Sequence, residues 1–149
     1  MKNKIFWLIM LILILTVSCG EKNNTSGKDG SKEIVLRFLW WGSESRHKAT
    51  LDAIKLFEEK NPGIKIKAEY GGTDGYFQKL STQLTGNTAP DIMQVDYIWL
   101  FNFSKNGDGF YDINLLKDEF NLANYTKEDL SYTTINGKLN AIPVGMNGR

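Results

Sequence analysis

The feature that most constrains the fold is an almost continuous apolar segment, Ile34–Trp41 (IVLRFLWW). A short run this rich in β-branched and aromatic residues is typical of a strand buried on both faces of a parallel sheet. The next residues carry apolar side chains at the spacing of a helix, at Ala49, Ala53, Leu56 and Phe57. That pattern ends at Pro62-Gly63, and residues 64–70 then alternate apolar with charged side chains. A strand, a helix and a half-buried strand in this order predict a βαβ unit, whose two strands lie parallel in one sheet.

A second helix-to-strand step follows the turn at Gly71-Gly72. Thr73 or Asp74 is expected to cap a helix whose apolar face holds Tyr76, Phe77, Leu80 and Leu84. Gly86 ends this helix, and residues 92–95 predict a short apolar strand. The predicted fold class is therefore α/β, a lobe built on an open and mainly parallel sheet.

The rest of the chain carries weaker patterns. Residues 96–103 are aromatic-rich and predict a short helix or a loop, and residues 124–130 predict a helical turn. Asn136-Gly137 is a hairpin signal between residues 132–135 and 139–144.

The N-terminus has the layout of a signal peptide. Lys2 and Lys4 precede an apolar run over residues 5–17, which is shorter than the ~20 residues that a membrane-spanning helix needs. The segment at residues 15–19 (LTVSC) resembles a bacterial lipobox, which implies lipidation at Cys19. A simple secretory signal with an incidental cysteine, or an uncleaved anchor, stays open as the alternative.

These patterns divide the chain into three regions. Residues 1–18 are expected to form a lipoprotein signal peptide, residues 19–32 a flexible tether rich in Asn, Gly, Ser and Lys, and residues 33–149 an incomplete binding lobe. A lipidated cysteine would hold the lobe at the extracytoplasmic face of the cell membrane, since acyl chains bind a membrane surface without crossing it.

Composition excludes several classes of protein. The net charge of +1 provides no basic field for nucleic acid, so no nucleic-acid partner is expected. Cys19 is the only cysteine and His47 the only histidine, which excludes internal disulfides, Cys-based zinc clusters and multi-histidine metal sites. We therefore expect no cofactor.

Five segments resemble, in order and spacing, the bacterial extracellular solute-binding proteins that include the maltose-binding protein. They are Trp40-Trp41-Gly42, residues 53–63 (AIKLFEEKNPG), 76–86 (YFQKLSTQLTG), 89–96 (APDIMQVD) and 136–144 (NGKLNAIPV). The resemblance implies a type II periplasmic-binding-protein-like lobe in a monomer that delivers a carbohydrate to the transmembrane subunits of an ABC permease. Members of this family have two lobes, so the resemblance also implies that this chain is an N-terminal fragment and that the second lobe is absent from it.

Candidate ligand-binding residues follow from the rule that ligands lie beyond the carboxyl ends of strands in open α/β sheets. At the first such end, Trp41 offers a flat π surface to the C–H face of a sugar, and Ser43 and Glu44 offer hydrogen-bonding groups. Alternation places Trp40 and Trp41 on opposite faces of the strand, so one packs in the core while the other reaches the ligand. Core packing for Trp41, and a solvated first-turn acid for Glu44, stay open.

The second candidate end holds Gln94, Asp96 and Tyr97. Strand periodicity gives Gln94 and Asp96 a shared direction, and the Asp96 carboxylate can accept charge-assisted bonds from hydroxyls or cap a helix. Tyr97 begins an aromatic run that serves either as a stacking platform or in lobe packing. Asn147 lies where the family chain crosses toward the other lobe, with a turn role equally open.

Other polar residues near these strand ends are weaker candidates. Gly72 and Thr73 form a third candidate end, while Arg46 is more typical of a surface residue and His47 is expected to be a solvated helix residue. The mixture of Trp, Glu, Asp and Gln favours a neutral polyol over an anion or a polyamine.

Two other functions are alternatives to transport. A glycoside hydrolase needs two carboxylates facing each other across the scissile bond, and Glu44 and Asp96 are the candidates for such a pair. No G-x-S-x-G motif is present. A lipoprotein that reports ligand occupancy to a receptor stays open, whereas an enzyme is not expected.

Overall fold

The computed structural model describes residues 33–116 and 118–145. Its first five elements are β1 (Ile34–Trp41), α1 (Glu44–Lys60), β2 (Ile64–Gly71), α2 (Tyr76–Thr85) and β3 (Ile92–Met93). The three strands form a parallel sheet in the order β2-β1-β3. This sheet confirms the predicted βαβ unit and the second helix-to-strand step.

Strand β3 is shorter than the strand predicted over residues 92–95. Beyond Met93, the Gln94 N–H still donates to the Leu39 carbonyl at 2.8 Å, so the chain follows β1 for one more residue before it turns into a helix.

The remaining elements are short. They are α3 (Tyr97–Phe103), a 3-10 helix (Ile113–Leu116), α4 (Lys127–Ser131), and the antiparallel strands β4 (Thr134–Ile135) and β5 (Lys138–Leu139). The hairpin signal is confirmed, because Asn136 and Gly137 both adopt the positive φ values, 51° and 79°, that a tight turn between these strands requires. Helix α4 begins at a capping box, in which Thr126 and Asp129 bond each other reciprocally.

The predicted regions 1–18 and 19–32, together with Cys19 and Asn147, lie outside the described residues. Their assignments stay predictions.

The two faces of β1 pack against different parts of the lobe, as alternation predicts. On one face Trp40 is buried and its ring lies 4.9 Å from the ring of Tyr70 in β2. On the other face Leu39 forms the core with Tyr76 and Leu80 of α2. Trp41 packs against the edge of that core.

The prediction that β1 is buried on both faces is wrong for its first two residues. Ile34 and Val35 are each 54% exposed, whereas Leu39 and Trp40 are buried. The reason is that the aromatic and aliphatic side chains of α2 and α3 pack against the end of β1 that carries Leu39 and Trp41.

Helix α1 is present, but its predicted apolar stripe does not face a core within the described residues. Leu56 and Phe57 are exposed, and the one buried residue of α1 is His47. The prediction of a solvated His47 is wrong because its Nδ1 accepts a hydrogen bond from the Trp40 indole at 3.1 Å, beside the Tyr70 ring.

The predicted cap of α2 is also wrong. Neither Thr73 nor Asp74 caps the helix, which begins after Gly75 with no side-chain cap. Gly75 adopts a left-handed conformation with φ of 73° and is the N-cap, one residue after Asp74 and two after Thr73.

Arg37 of β1 links its strand to β2 and to the segment that precedes β3. Its guanidinium makes a bidentate pair with Glu69 of β2 at 2.7 and 3.2 Å and donates to the Thr88 carbonyl at 2.8 Å. The Arg37 backbone N–H donates to Asp91, just before β3. Arg37 holds the pKa of Glu69 below its usual value through this side-chain hydrogen bond.

Across residues 33–116 and 118–145, none of the helices combines the length and the apolar character needed to cross a membrane. The same residues contain no cluster of three His, Cys, Asp or Glu side chains that could hold a metal ion.

Candidate functional site

The candidate site lies at the carboxyl edge of the sheet, where β1, β2 and β3 each end in a loop. The loop after β1 and the loop after β2 are joined by a hydrogen bond from the Gly42 N–H to the Gly71 carbonyl at 3.1 Å. The segment after β3 is joined to α2, because the Tyr76 hydroxyl donates to the Gln94 carbonyl at 2.8 Å. Burial raises the pKa of the Tyr76 phenol, so it remains a neutral donor.

Trp41 is half-buried at this edge. Its ring centroid lies 4.8 Å from that of Tyr76 and 5.5 Å from that of Trp99 in α3, with tilted ring planes. The alternative of core packing is confirmed in part, since Trp41 packs against the core while part of its surface stays accessible. Ligand contact by Trp41 stays a prediction.

Gln94 connects the ends of β1 and β3. The Gln94 amide can be oriented in two ways. In the first, the amide oxygen points toward α1 and accepts from Arg46 Nη1 at 3.2 Å, while the amide nitrogen donates to the Trp41 carbonyl at 3.2 Å. The opposite orientation brings the amide oxygen within 3.3 Å of the Trp41 backbone nitrogen. We assign the first orientation, because the second one sets the amide nitrogen against the Arg46 guanidinium, two donors facing each other.

Arg46 folds back over Gly42 to reach Gln94. A methyl group added at Gly42 would lie 2.4 Å from Cδ of Arg46 and 3.0 Å from its Cβ and Cγ. Glycine at this position therefore provides the space in which the stem of Arg46 lies.

Asp96 is the N-cap of α3. Its Oδ1 accepts from the Ile98 N–H at 3.2 Å, which satisfies a helix donor as the capping alternative predicted. Tyr97, the first residue of α3, is 63% exposed, and its ring lies 6.2 Å from that of Tyr132 in an edge-to-face arrangement.

Ser43 and Glu44 form the start of α1 and are exposed. Ser43 is the N-cap by backbone geometry, but its hydroxyl bonds Ser45 Oγ at 2.9 Å and caps no N–H. Glu44 lies in the first turn of the helix, where a carboxylate interacts favourably with the helix dipole.

The loop after β2 borders a depression of about 150 Å³. It is lined by Leu39, Tyr70, Gly71, Gly72, Asp74, Gly75, Tyr76 and Lys79. Lys79, from α2, places a cation beside the loop that holds the weaker candidates Gly72 and Thr73.

The structure thus brings together only some of the predicted residues. Trp41 and Gln94 are in direct contact, and Asp96 follows them at the start of α3. Within the described residues, no hydrogen bond links Ser43 or Glu44 to the β3 end.

Sequence reasoning undervalued Arg46, which contacts the site. No local pattern indicates this contact, because its partner Gln94 lies far along the chain at the end of another strand.

The sequence and the fold of this chain are similar to those of known proteins. The sequence model of the bacterial extracellular solute-binding proteins matches residues 41–136, more than half of the chain. The chain belongs to this family, and its structural neighbours show that the lobe has the fold of periplasmic binding proteins.

Two solved structures are 46% identical to this chain, each with a TM-score of 0.74, and each alignment covers 76% of this chain and 28% of the other. One is a periplasmic oligogalacturonide binding protein from Yersinia enterocolitica in complex with saturated digalacturonic acid. The other is a de novo designed cysteine esterase.

A protein of Brucella abortus (strain 2308), provisionally named a binding protein, is 30% identical over 100 residues. The alignment covers 64% of this chain and 23% of the Brucella protein, so the chain spans about a quarter of the length of the curated relatives that it matches.

Proposed function

We propose that this chain is the N-terminal part of the extracytoplasmic substrate-binding component of an ABC importer, which captures a sugar or oligosaccharide and delivers it to a membrane permease. In this proposal the carboxyl edge of the sheet is one wall of the ligand cleft. The ligand-binding residues are Trp41, Ser43, Glu44, Gln94, Asp96, Tyr97 and Asn147.

The observation that carries the proposal is the contact between Trp41 and Gln94 at adjoining strand ends. A half-buried indole held by Tyr76 and Trp99 offers a rigid ring face to the apolar side of a sugar, beside an amide that bonds hydroxyls. The remaining Asp96 carboxylate oxygen can accept from a hydroxyl while Oδ1 caps α3.

Membership of the solute-binding family supports capture of a solute outside the cytoplasm. The Yersinia neighbour binds oligogalacturonide, which supports an oligosaccharide as the ligand of this chain. Closure of two lobes around a ligand is a known transition of periplasmic binding proteins, and it would present a surface to the permease.

The alternative of a hydrolase finds less support in these residues. Residues 33–149 contain no cysteine, so a cysteine-esterase reaction has no nucleophile within them. Of the two acids considered for a glycosidase, Asp96 is engaged as a helix cap and Glu44 is exposed. A binding role for this edge requires no nucleophile.

The location that we propose is the extracytoplasmic face of the cell membrane, with lipid attached at Cys19 and residues 19–32 as a tether. A protein that delivers its ligand to a sensor in place of a permease would use the same cleft. Permease genes or sensor genes beside the reading frame would distinguish these two roles.

The proposal is tested by calorimetric titration of the full-length protein that carries this chain with a panel of oligosaccharides. Trp41→Ala is expected to weaken binding about tenfold or more, because the ring face is lost. Asp96→Asn keeps a good helix cap and removes the charge, so it should weaken binding without melting α3.

Phe57→Ala serves as the control, since Phe57 is an exposed aromatic residue near the opposite end of α1. It should leave affinity unchanged. Binding of no saccharide by the wild-type protein, or equal losses in the Trp41 and Phe57 variants, would show that the proposed function or its site is wrong.

A further inference from the structure

We propose that Arg46 is a specificity-determining residue that receives a carboxylate of the solute, so that the ligand is an acidic oligosaccharide built from uronic acid units. This inference rests on the proposed function and narrows its ligand class. It departs from the neutral polyol expected from residue types, because it depends on where the Arg46 side chain lies.

The first step is that Arg46 is held in place before any ligand arrives. Its stem occupies the space over Gly42 that any Cβ would fill, and its Nη1 donates to the Gln94 amide at 3.2 Å. Two contacts at opposite ends of a long side chain reduce the rotamer freedom that ligand binding would otherwise have to remove. A free surface arginine has neither restraint.

The second step is that this guanidinium keeps donors for a ligand. Ion pairs among the described residues join Arg37 to Glu69, Lys48 to Asp52, and Lys65 to Glu58, and Arg46 takes part in none of them. The hydrogen bond to Gln94 uses one of five N–H groups. The exposed side chain can therefore present paired N–H groups to a carboxylate, the planar geometry that a guanidinium matches best.

The third step concerns the acids at the same edge. Asp96 caps α3 through Oδ1, and Glu44 and Asp74 are exposed to water. Among the residues that the structure describes, Arg46 forms its hydrogen bond with the neutral Gln94 amide and pairs with no carboxylate, so its positive charge is positioned without being neutralised there.

The fourth step is the neighbouring ring. Gln94 bonds Arg46 on one side and the backbone carbonyl of Trp41 on the other, so a single amide links the guanidinium to the residue that we propose as the stacking surface. A uronic acid unit stacked on Trp41 would place its ring against the indole and its C6 carboxylate near Arg46, on the same wall of the cleft. A neutral sugar offers the same ring and only a hydroxymethyl group in place of the charge.

The test compares two disaccharides of the same stereochemistry, digalacturonate and its neutral counterpart galactobiose, by calorimetry on the full-length protein. The wild type is expected to bind digalacturonate about tenfold or more tightly than galactobiose. Arg46→Gln should remove most of this preference by weakening digalacturonate binding alone. It should also flatten the salt dependence of that binding, because an accessible ion pair is screened by salt.

Two further variants separate a specific role from a structural one. Lys55→Gln makes the same charge change at an exposed position of α1 and should leave the preference intact. Gly42→Ala keeps the arginine but fills the space under its stem, so it should reduce the preference while circular dichroism shows an unchanged fold.

Each outcome decides between the two proposals. Galactobiose bound as tightly as digalacturonate, or equal losses in the Arg46 and Lys55 variants, would overturn the role of Arg46 and leave a sugar-binding function standing. Failure to bind either disaccharide or any other saccharide would overturn both proposals.

Discussion

At the residue scale, the hydrogen bond between Trp40 and His47 fixes the loop that carries the candidate site. The indole N–H donates to Nδ1 of His47 at 3.1 Å, and both residues are buried. Because Nδ1 accepts, it carries no proton, and His47 is the tautomer protonated at Nε2. The bond ties the end of β1 to the first turn of α1 on either side of Gly42, and so helps to position Arg46.

We expect His47→Leu to lower the free energy of unfolding by about 1–3 kcal/mol, because it leaves the buried indole N–H without an acceptor. Urea denaturation of the full-length protein measures the change. Lys55→Leu, which introduces the same side chain at an exposed position of α1, is the control and should change stability little. Equal stability of the two variants would contradict the importance of this bond.

At the scale of elements, the Arg37 clamp explains how a two-residue strand stays paired. Strand β3 contributes only Ile92 and Met93 to the ladder with β1, but Arg37 holds the preceding segment through the Thr88 carbonyl and the Asp91 carboxylate. Glu69, on the neighbouring strand β2, accepts two hydrogen bonds from the guanidinium and orients it. The position of Gln94, and therefore of the candidate site, depends on this clamp.

Glu69→Gln is expected to destabilise the protein by about 1–3 kcal/mol near neutral pH, since a charged hydrogen-bonded partner is removed. The pKa of Glu69 is lowered in the fold by Arg37, so its contribution is present above the ordinary glutamate pKa and is lost as the pH falls through the lowered value. The difference between variant and wild type should therefore shrink below about pH 4.

Denaturation midpoints at a series of pH values test this prediction, with Glu59→Gln at an exposed position of α1 as the matched control. A stability difference for Glu69→Gln that persists unchanged into acid would show that the pair with Arg37 contributes nothing through its charge.

At the scale of the whole molecule, the residues that the structure describes leave apolar surface exposed. Leu51, Leu56 and Phe57 of α1, and Ile98 and Phe101 of α3, are all more than a third exposed. The chain spans 28% of the length of the Yersinia neighbour. Exposed apolar area of this kind favours association.

We expect residues 33–149 alone to bind saccharide far more weakly than the full-length protein does. A small-molecule site usually buries about 70–90% of the ligand, and one wall leaves the other side of the sugar in water. Hydrogen bonds that compete with solvent contribute only about 1 kcal/mol each. Parallel titrations measure the difference, and comparable affinity of the two proteins would show that the site is complete within these residues.

Cys19 gives a second prediction at this scale. Labelling cells with a fatty-acid analogue should mark the protein, and Cys19→Ala should abolish the mark and release the protein from the membrane, because acyl chains supply the anchor. Label that persists in the variant would refute lipidation at this residue.

The sequence by itself determined the order and type of the main elements. The parallel βαβ unit, the helix with Leu80 and Leu84 on one face, and the turn at Asn136-Gly137 all follow from local periodicity and turn chemistry, which a single segment carries. Alternation also placed Trp40 and Trp41 on opposite faces of β1.

Only the tertiary structure decided which side chains meet at the site. That His47 is buried depends on Trp40 and Tyr70, and that Arg46 reaches the site depends on Gln94, which lies far along the chain on another strand. Such contacts are set by packing between elements, for which local periodicity contains no signal. The physical reason is that periodicity assigns a face to each residue, whereas the partner on that face is fixed only when the sheet and helices assemble.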